Sequence, residues 1–204
     1  MTTAHHRQKQ PEQVRERLLT VAQDLLIEKG AHAVTLDAVS RQAGVSKGGL
    51  QYHFRSKSVL LDALSDQLFT EFDQQYEYAL SIEPAAPERY ARAYIRTSFD
   101  SANRGNSVKM QRAIAQLALA LPHCRERWNA KMKAALVFEE SDPMSAARLF
   151  ICRLAADGFW LAQMFDIYDI DEQKKQSTLQ NLLNLCSGLP LESSLHLDES
   201  EHDA

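Results

Sequence analysis

With 204 residues, 45% hydrophobic and 25% charged, the chain has the size and composition of one globular domain or of two small ones sharing a core, which excludes a disordered polymer. No apolar run approaches the roughly 18–20 residues that cross a bilayer, and the first ten residues hold no apolar stretch of a signal peptide. The net charge of −4 conceals a division: residues 1–57 carry nine Lys/Arg against five Asp/Glu, and residues 58–204 carry fourteen against twenty-two.

Helical periodicity dominates from the start. Pro11 fits the first turn of a helix whose apolar positions, Val14, Leu18, Val21, Ala22, Leu25 and Leu26, recur at three- and four-residue steps until Gly30 stops it. Thr35 suits the N-cap of a short helix over 36–43, which Gly44 breaks, and Ser46 suits the cap of the next, to about Phe54. Ser56 then opens a long amphipathic helix to about Leu80, with Val59, Leu60, Leu64, Leu68, Phe72 and Tyr76 on one face. Beyond Pro84–Pro87 the pattern predicts helices over 87–103, 107–120, 122–140, 143–168 and 172–187, and nothing alternates long enough to demand a strand. Seven Gly and six Pro are few for a turn-rich β-sandwich. The fold class is therefore all-α: an N-terminal head of three short helices (1–56), a larger helical bundle (57–190) and an acidic tail (191–204) expected to be disordered.

Chemistry concentrates in Thr35–Lys57, TLDAVSRQAGVSKGGLQYHFRSK. Two short helices meet at Gly44-Val45-Ser46, and Leu36, Val39, Ala43, Val45, Leu50 and Phe54 can form one core against the first helix, which is helix-turn-helix grammar. The outward face of the second helix is left to Lys47, Gly48, Gly49, Gln51 and Tyr52. Adjacent glycines cost a helix on the order of 2 kcal/mol against alanine, a cost that makes sense if the backbone must come close to another surface such as a major groove. A basic head on an acidic body places any polyanion at this end of the chain.

These residues resemble the TetR family of bacterial transcriptional repressors. The matches are Thr35, the Ala43-Gly44-Val45-Ser46 turn, Leu50, Tyr52-His53-Phe54 and Lys57 before an apolar helix, and they cover about residues 14–64. Gln51 departs from the aromatic residue that family members more often carry, which bears on base preference and not on fold. The resemblance implies a homodimer that binds double-stranded operator DNA and releases it on binding a small molecule. Carried over by position, Thr35, Tyr52, His53 and Lys57 look like phosphate contacts, and Ser46, Lys47 and Gln51 look groove-facing. Hydroxyls and an ammonium suit phosphate, Gln pairs with adenine and Lys with guanine. Arg7 and Lys9 could reach the neighbouring backbone or minor groove. Other readings stay open for single residues: Tyr52 half-packed with a wet hydroxyl, His53 in a structural hydrogen bond, Arg41 as a solvated charge.

An enzyme would need a nucleophile, a base or a metal site. No HExxH, GxSxG, GxGxxG or P-loop occurs, and the seven histidines fall at no metal-ligand spacing. No enzyme activity, cofactor or metal is expected. Cys124, Cys152 and Cys186 are odd in number, far apart and without a CxxC, which argues against a disulfide framework and for a reducing cytoplasm. They leave an alternative, a regulator switched by cysteine oxidation or by a protein partner, against buried inert thiols.

The body offers two further features. Helix 143–168 is apolar nearly all round and helix 172–187 has a single seam. Two such helices per chain could make a four-helix dimer interface, with Ala155, Gly158 and Ala162 permitting close approach and Leu179, Leu182, Leu183 and Cys186 as the seam. The other reading packs the second face on the same chain. Phe72, Tyr76, Tyr94, Phe99, Met110, Trp128, Phe159, Trp160 and Met164 are either core or the lining of a cavity. As a cavity they suit an apolar or aromatic effector, anchored by Gln111, Arg112 or Gln163.

Overall fold

A computed structural model of the chain describes residues 4–99, 104–137 and 143–191, and these form nine helices and no strand. In chain order they are α1 (Ala4–Lys29), α2 (Leu36–Ala43), α3 (Lys47–His53), α4 (Lys57–Ile82), α5 (Arg89–Ser98), α6 (Arg104–Ala120), α7 (Pro122–Val137), α8 (Pro143–Met164) and α9 (Glu172–Cys186). The expected tail beyond Leu191 and the side chains of Arg7 and Lys9 lie outside the described residues.

Two expected boundaries move. Pro11 does not open α1 but lies inside it; a proline this near the N-terminus removes one of the earliest backbone hydrogen bonds, and the rest of the helix carries it. Helix α8 ends at Met164, short of 168, because the chain turns left-handed at Asp166, Tyr168 and Asp169, with φ of 52°, 72° and 44°. Aspartate tolerates that conformation better than most residues. Val59 is exposed, so the buried face of α4 is Leu60, Leu61, Leu64, Leu68, Phe69 and Phe72.

Packing divides the chain into two compact units, residues 1–75 with 101–134 and residues 76–100 with 135–204. In the first, α1, α2 and α3 close over Leu18, Leu19, Leu26, Val39, Leu50 and Phe54, all essentially without exposed surface. Helix α6 is tied to α1 here: Gln116 Nε2 donates to the Ile27 carbonyl at 3.2 Å, and Lys109 lies 3.5 Å from Asp24. Helix α7 is tied to α4 by Arg127–Asp66 at 2.6 Å, by the buried Ser65–Cys124 pair at 3.2 Å and by Trp128, which meets the Phe72 ring edge-on at 5.0 Å.

In the second unit α5 packs on both α8 and α9. Leu182, Leu183 and Cys186 are buried in this packing. Of the residues expected to form an intersubunit seam, these three are covered within their own chain, where α9 packs on α5 and α8, while Leu179 is only half-buried. A buried carboxylate braces the same unit. Glu83, 1% exposed, accepts from Arg92 Nε at 2.6 Å and from Arg96, while Arg92 also donates to the Leu183 carbonyl at 2.9 Å and to Ser187 Oγ at 2.8 Å. Burial pushes the Glu83 carboxyl upward, but the hydrogen bonds and charges of Arg92 and Arg96 outweigh it and hold the group below the usual glutamate range.

Candidate nucleic-acid interface

The head presents α3 because three local devices fix it. Thr35 caps α2 by accepting from Ala38 N at 3.1 Å, and Ser46 caps α3 by accepting from Gly49 N at 3.1 Å. Gly44 ends α2 in the left-handed conformation (φ 64°), and Val45 N donates to the Ser40 carbonyl at 2.9 Å, so the turn is closed before α3 begins. Leu50 at 0% and Phe54 at 1% exposure anchor the inner face of α3. Its outer face then carries Lys47, Gly48, Gln51 and Tyr52, all exposed, with Tyr52 at 78%.

The residues singled out in the sequence divide accordingly. Lys47, Gly48, Gln51 and Tyr52 share the open face. Gly49 does not: a Cβ there would sit 3.0 Å from Val45 Cγ1 and 3.2 Å from Ser46 Oγ, so this glycine serves packing within the head, whereas a Cβ at Gly48 would meet nothing within 4 Å. His53 is half-buried, its ring edge-on to Tyr52 at 5.1 Å. Thr35 and Ser46 use their oxygens as caps and keep a hydroxyl proton each. Lys57 is more than a surface charge. Its ammonium donates to the Ala31 carbonyl at 2.6 Å and to the His32 carbonyl at 3.4 Å, which pins the α1–α2 turn to the start of α4. Two groups escaped the sequence reading: Arg55, exposed in the α3–α4 turn, and Asp37, whose carboxylate lies 3.2 Å from Lys47 Nζ. Only the spatial approach of α2 to α3 brings Asp37 into view, since ten residues separate it from Lys47.

The residues suggested for an effector cavity fall in both units. Phe72, Met110, Gln111 and Trp128 belong to the first, and Tyr76, Tyr94, Phe99, Phe159, Trp160, Gln163 and Met164 to the second. Phe99 and Phe159 stack with centroids 3.7 Å apart. Tyr94, buried, donates its hydroxyl to Asp157, and Arg153 lies 5.0 Å over the Tyr94 ring. Burial and the Asp157 charge push the Tyr94 phenol well above its ordinary range, and burial raises the Asp157 carboxyl. A cavity of about 370 Å³ opens between α8 and α9, with Ala155, Gly158, Phe159 and Ala162 on α8, Lys174, Ser177 and Thr178 on α9, and Tyr168 and Ile170 in the loop between. Of the suggested cavity residues Phe159 lines it; three of the others were suggested for a dimer interface.

Along α8 lies an open apolar face. Phe150, Ile151, Leu154 and Leu161, with Phe165 just past the helix end, are 48–68% exposed. The three cysteines are buried thiols outside any disulfide, and burial raises the Cys124 thiol. Among the described residues no cluster of His, Cys, Asp and Glu could hold a metal ion, and no helix is long and apolar enough to cross a membrane.

Comparison with known proteins agrees with this geometry. Residues 18–64 match the profile of the bacterial regulatory proteins of the tetR family, and residues 88–187 match the tetracyclin repressor-like C-terminal domain. The chain is 29% identical over 116 residues to the HTH-type transcriptional regulator EthR of Mycolicibacterium smegmatis, covering 57% of this chain and 52% of that one. It is 27% identical over 157 residues to the regulator BetI of Serratia proteamaculans, covering 72% and 79%. The aligned stretch thus spans only about half the length of EthR. In fold it is similar to a transcriptional regulator of Pseudomonas aeruginosa (TM-score 0.68, 15% identity, 88% and 91% covered) and to the ketosteroid transcriptional regulator KstR2 of Mycobacterium tuberculosis (TM-score 0.61, 18% identity, 87% and 95% covered).

Proposed function

The chain belongs to the TetR family of bacterial transcriptional regulators, and from that premise we propose that it represses transcription by binding a palindromic operator as a homodimer. A small, largely apolar or aromatic molecule releases it. The observation that carries the reading is the outer face of α3, where Lys47, Gln51 and Tyr52 stand exposed on a helix locked from behind by Leu50 and Phe54. Gln51 and Lys47 read base edges, and Tyr52, His53, Thr35 and the remaining donor of Lys57 take phosphates.

The dimer forms through α8. Its open residues flank Gly158: Ile151, Leu154 and Ala155 precede it by seven, four and three positions, and Leu161 and, just past the helix end, Phe165 follow it by three and seven. An antiparallel pair of α8 helices crossing at Gly158 on a two-fold axis would set Ile151 against Phe165 of the partner subunit and Ala155 against Leu161 of the partner subunit. Glycine inside a helix costs about 1 kcal/mol against alanine, and here a Cβ would meet nothing within 4 Å of its own chain. Gly158 also borders the cavity toward α9, and the missing side chain leaves room on its open side for a partner's backbone.

Aromatic clusters support an apolar effector: Phe72 with Trp128 in one unit, Tyr94, Phe99 and Phe159 in the other. The test of the whole reading is selection of bound duplexes from a random pool. An inverted repeat should emerge, and Gln51→Ala should change the preferred base at one position of each half-site while Tyr52→Phe weakens all sequences alike. Failure to enrich any sequence, with the protein folded, sinks the operator reading.

A further inference from the structure

We propose that Asp37 is a specificity-determining positioning residue, which holds Lys47 toward the base edges and away from the phosphate backbone. The inference rests on the operator reading above and concerns how that site tells one sequence from another.

Lys47 opens α3, and that helix has no acidic residue in its own first turn. The carboxylate facing Lys47 comes instead from α2, where Asp37 lies 3.2 Å away. Both side chains stand in solvent, 66% exposed for Lys47 and 76% for Asp37, so neither is needed to close the core. Asp37 also sits two residues past Thr35, whose hydroxyl the same reading gives to a phosphate. A carboxylate on the side of the head that meets a polyanion opposes binding at every sequence alike. Its place in the first turn of α2 favours that helix, and its reach to Lys47 gives it a second effect, on discrimination.

A lysine is a flexible point charge with three donors. Left free at the rim of a groove, it finds the nearest phosphate, and phosphate contacts carry no sequence information. Tethered on one side by Asp37, it keeps two donors, and phosphate next to the tether is disfavoured by the carboxylate. A guanine edge offers two acceptors at O6 and N7 without full negative charge. The pair therefore gives up part of the non-specific attraction and retains the base-directed part.

The experiment measures binding of the full-length chain to the duplex selected above and to a scrambled duplex of equal length, over a range of salt. Asp37→Asn should bind the scrambled duplex about two- to fivefold more tightly, the scale of an exposed ion pair. It should narrow the selected-to-scrambled ratio, steepen the salt slope by about one unit, and relax base preference at one position per half-site. Asp37→Glu, which keeps the charge, should stay near wild type. In a Lys47→Ala background Asp37→Asn should leave the ratio where it was. A ratio unchanged by Asp37→Asn, or changed equally in both backgrounds, overturns the proposal while the operator reading stands. A wild-type chain with no sequence preference overturns both. Circular dichroism of each variant checks the fold.

Discussion

Replacing Leu154 by Asp separates dimerisation from folding, because this side chain is half exposed on its own chain. Covering the exposed half of a large apolar side chain is worth about 1 kcal/mol. Phe150, Ile151, Leu154, Leu161 and Phe165 from two copies therefore supply on the order of 10 kcal/mol before costs. Association itself costs about 4–15 kcal/mol, so the margin is narrow and a central change is felt. Symmetry doubles the effect of Leu154→Asp. It removes roughly 2 kcal/mol of burial over the two sites and brings two carboxylates into an apolar contact, each costing about 1 kcal/mol or more even with water nearby. A total of about 4 kcal/mol raises the dissociation constant about a thousandfold. Sedimentation equilibrium at micromolar concentration should show wild type as a dimer and Leu154→Asp as a monomer that retains its helical circular dichroism but no longer holds the palindrome. Leu183→Asp is the contrast: buried in the chain's own core, it should unfold the protein. A wild-type monomer, or a Leu154→Asp dimer of undiminished affinity, would refute the α8 interface.

Lys57→Ala should both flatten the salt dependence of DNA binding and lower the melting temperature, since a charged hydrogen bond to the Ala31 carbonyl is worth about 1.5–3 kcal/mol; an unchanged melting temperature would deny it the structural half of that role. Gly48→Ala should stabilise the head by about 0.5–1 kcal/mol through helix propensity, because a Cβ there meets no neighbour, yet weaken operator binding if the backbone lies close to the groove. Stability gained with affinity kept would show that no close approach occurs. Glu83 gives a pH dependence: its carboxyl is lowered from 4.5, so its contribution is full above that value and is lost as pH falls through the lowered native one. Asp157, raised by burial, acts in the opposite sense over the acid range. Comparing denaturant midpoints of wild type and Glu83→Gln across pH isolates the Glu83 part, with a loss of about 3 kcal/mol expected near neutrality and a shallower acid slope.

The head was readable from sequence because its information is local. Thr35, Gly44 and Ser46 act on backbone groups within five residues of themselves, and each is found doing so. The end of α8 was not readable, since Phe165, Ile167 and Tyr168 continue an apolar helical pattern while the backbone at Asp166, Tyr168 and Asp169 has left the helix. The seam on α9 was ambiguous for a different reason. Periodicity shows that Leu179, Leu182, Leu183 and Cys186 share a side, but whether that side meets its own chain or another depends on where α5 lies. The same holds for Lys57 and Asp37, whose partners are 26 and ten residues away and follow from no spacing rule.

The packing also bears on how a ligand could act on DNA. The head is not a module joined at Lys57 to everything else: α1 is fastened to α6 through Gln116 and Lys109, and α4 to α7 through Asp66, Ser65 and Phe72. Tilting α6 by even a few degrees would strain the Gln116–Ile27 hydrogen bond, which completes the last turn of α1, and so would reach the core residues Leu25 and Leu26 beneath it. Each such polar tie is worth about 0.5–1.5 kcal/mol. A tenfold change in operator affinity needs only about 1.4 kcal/mol of ligand preference between two arrangements. The ties between α6 and α1 are therefore of the right size to be exchanged during release, whereas the apolar core of Leu18, Leu50 and Phe54 is too costly to open. Release would then reorient the head as a whole, with α3 kept intact.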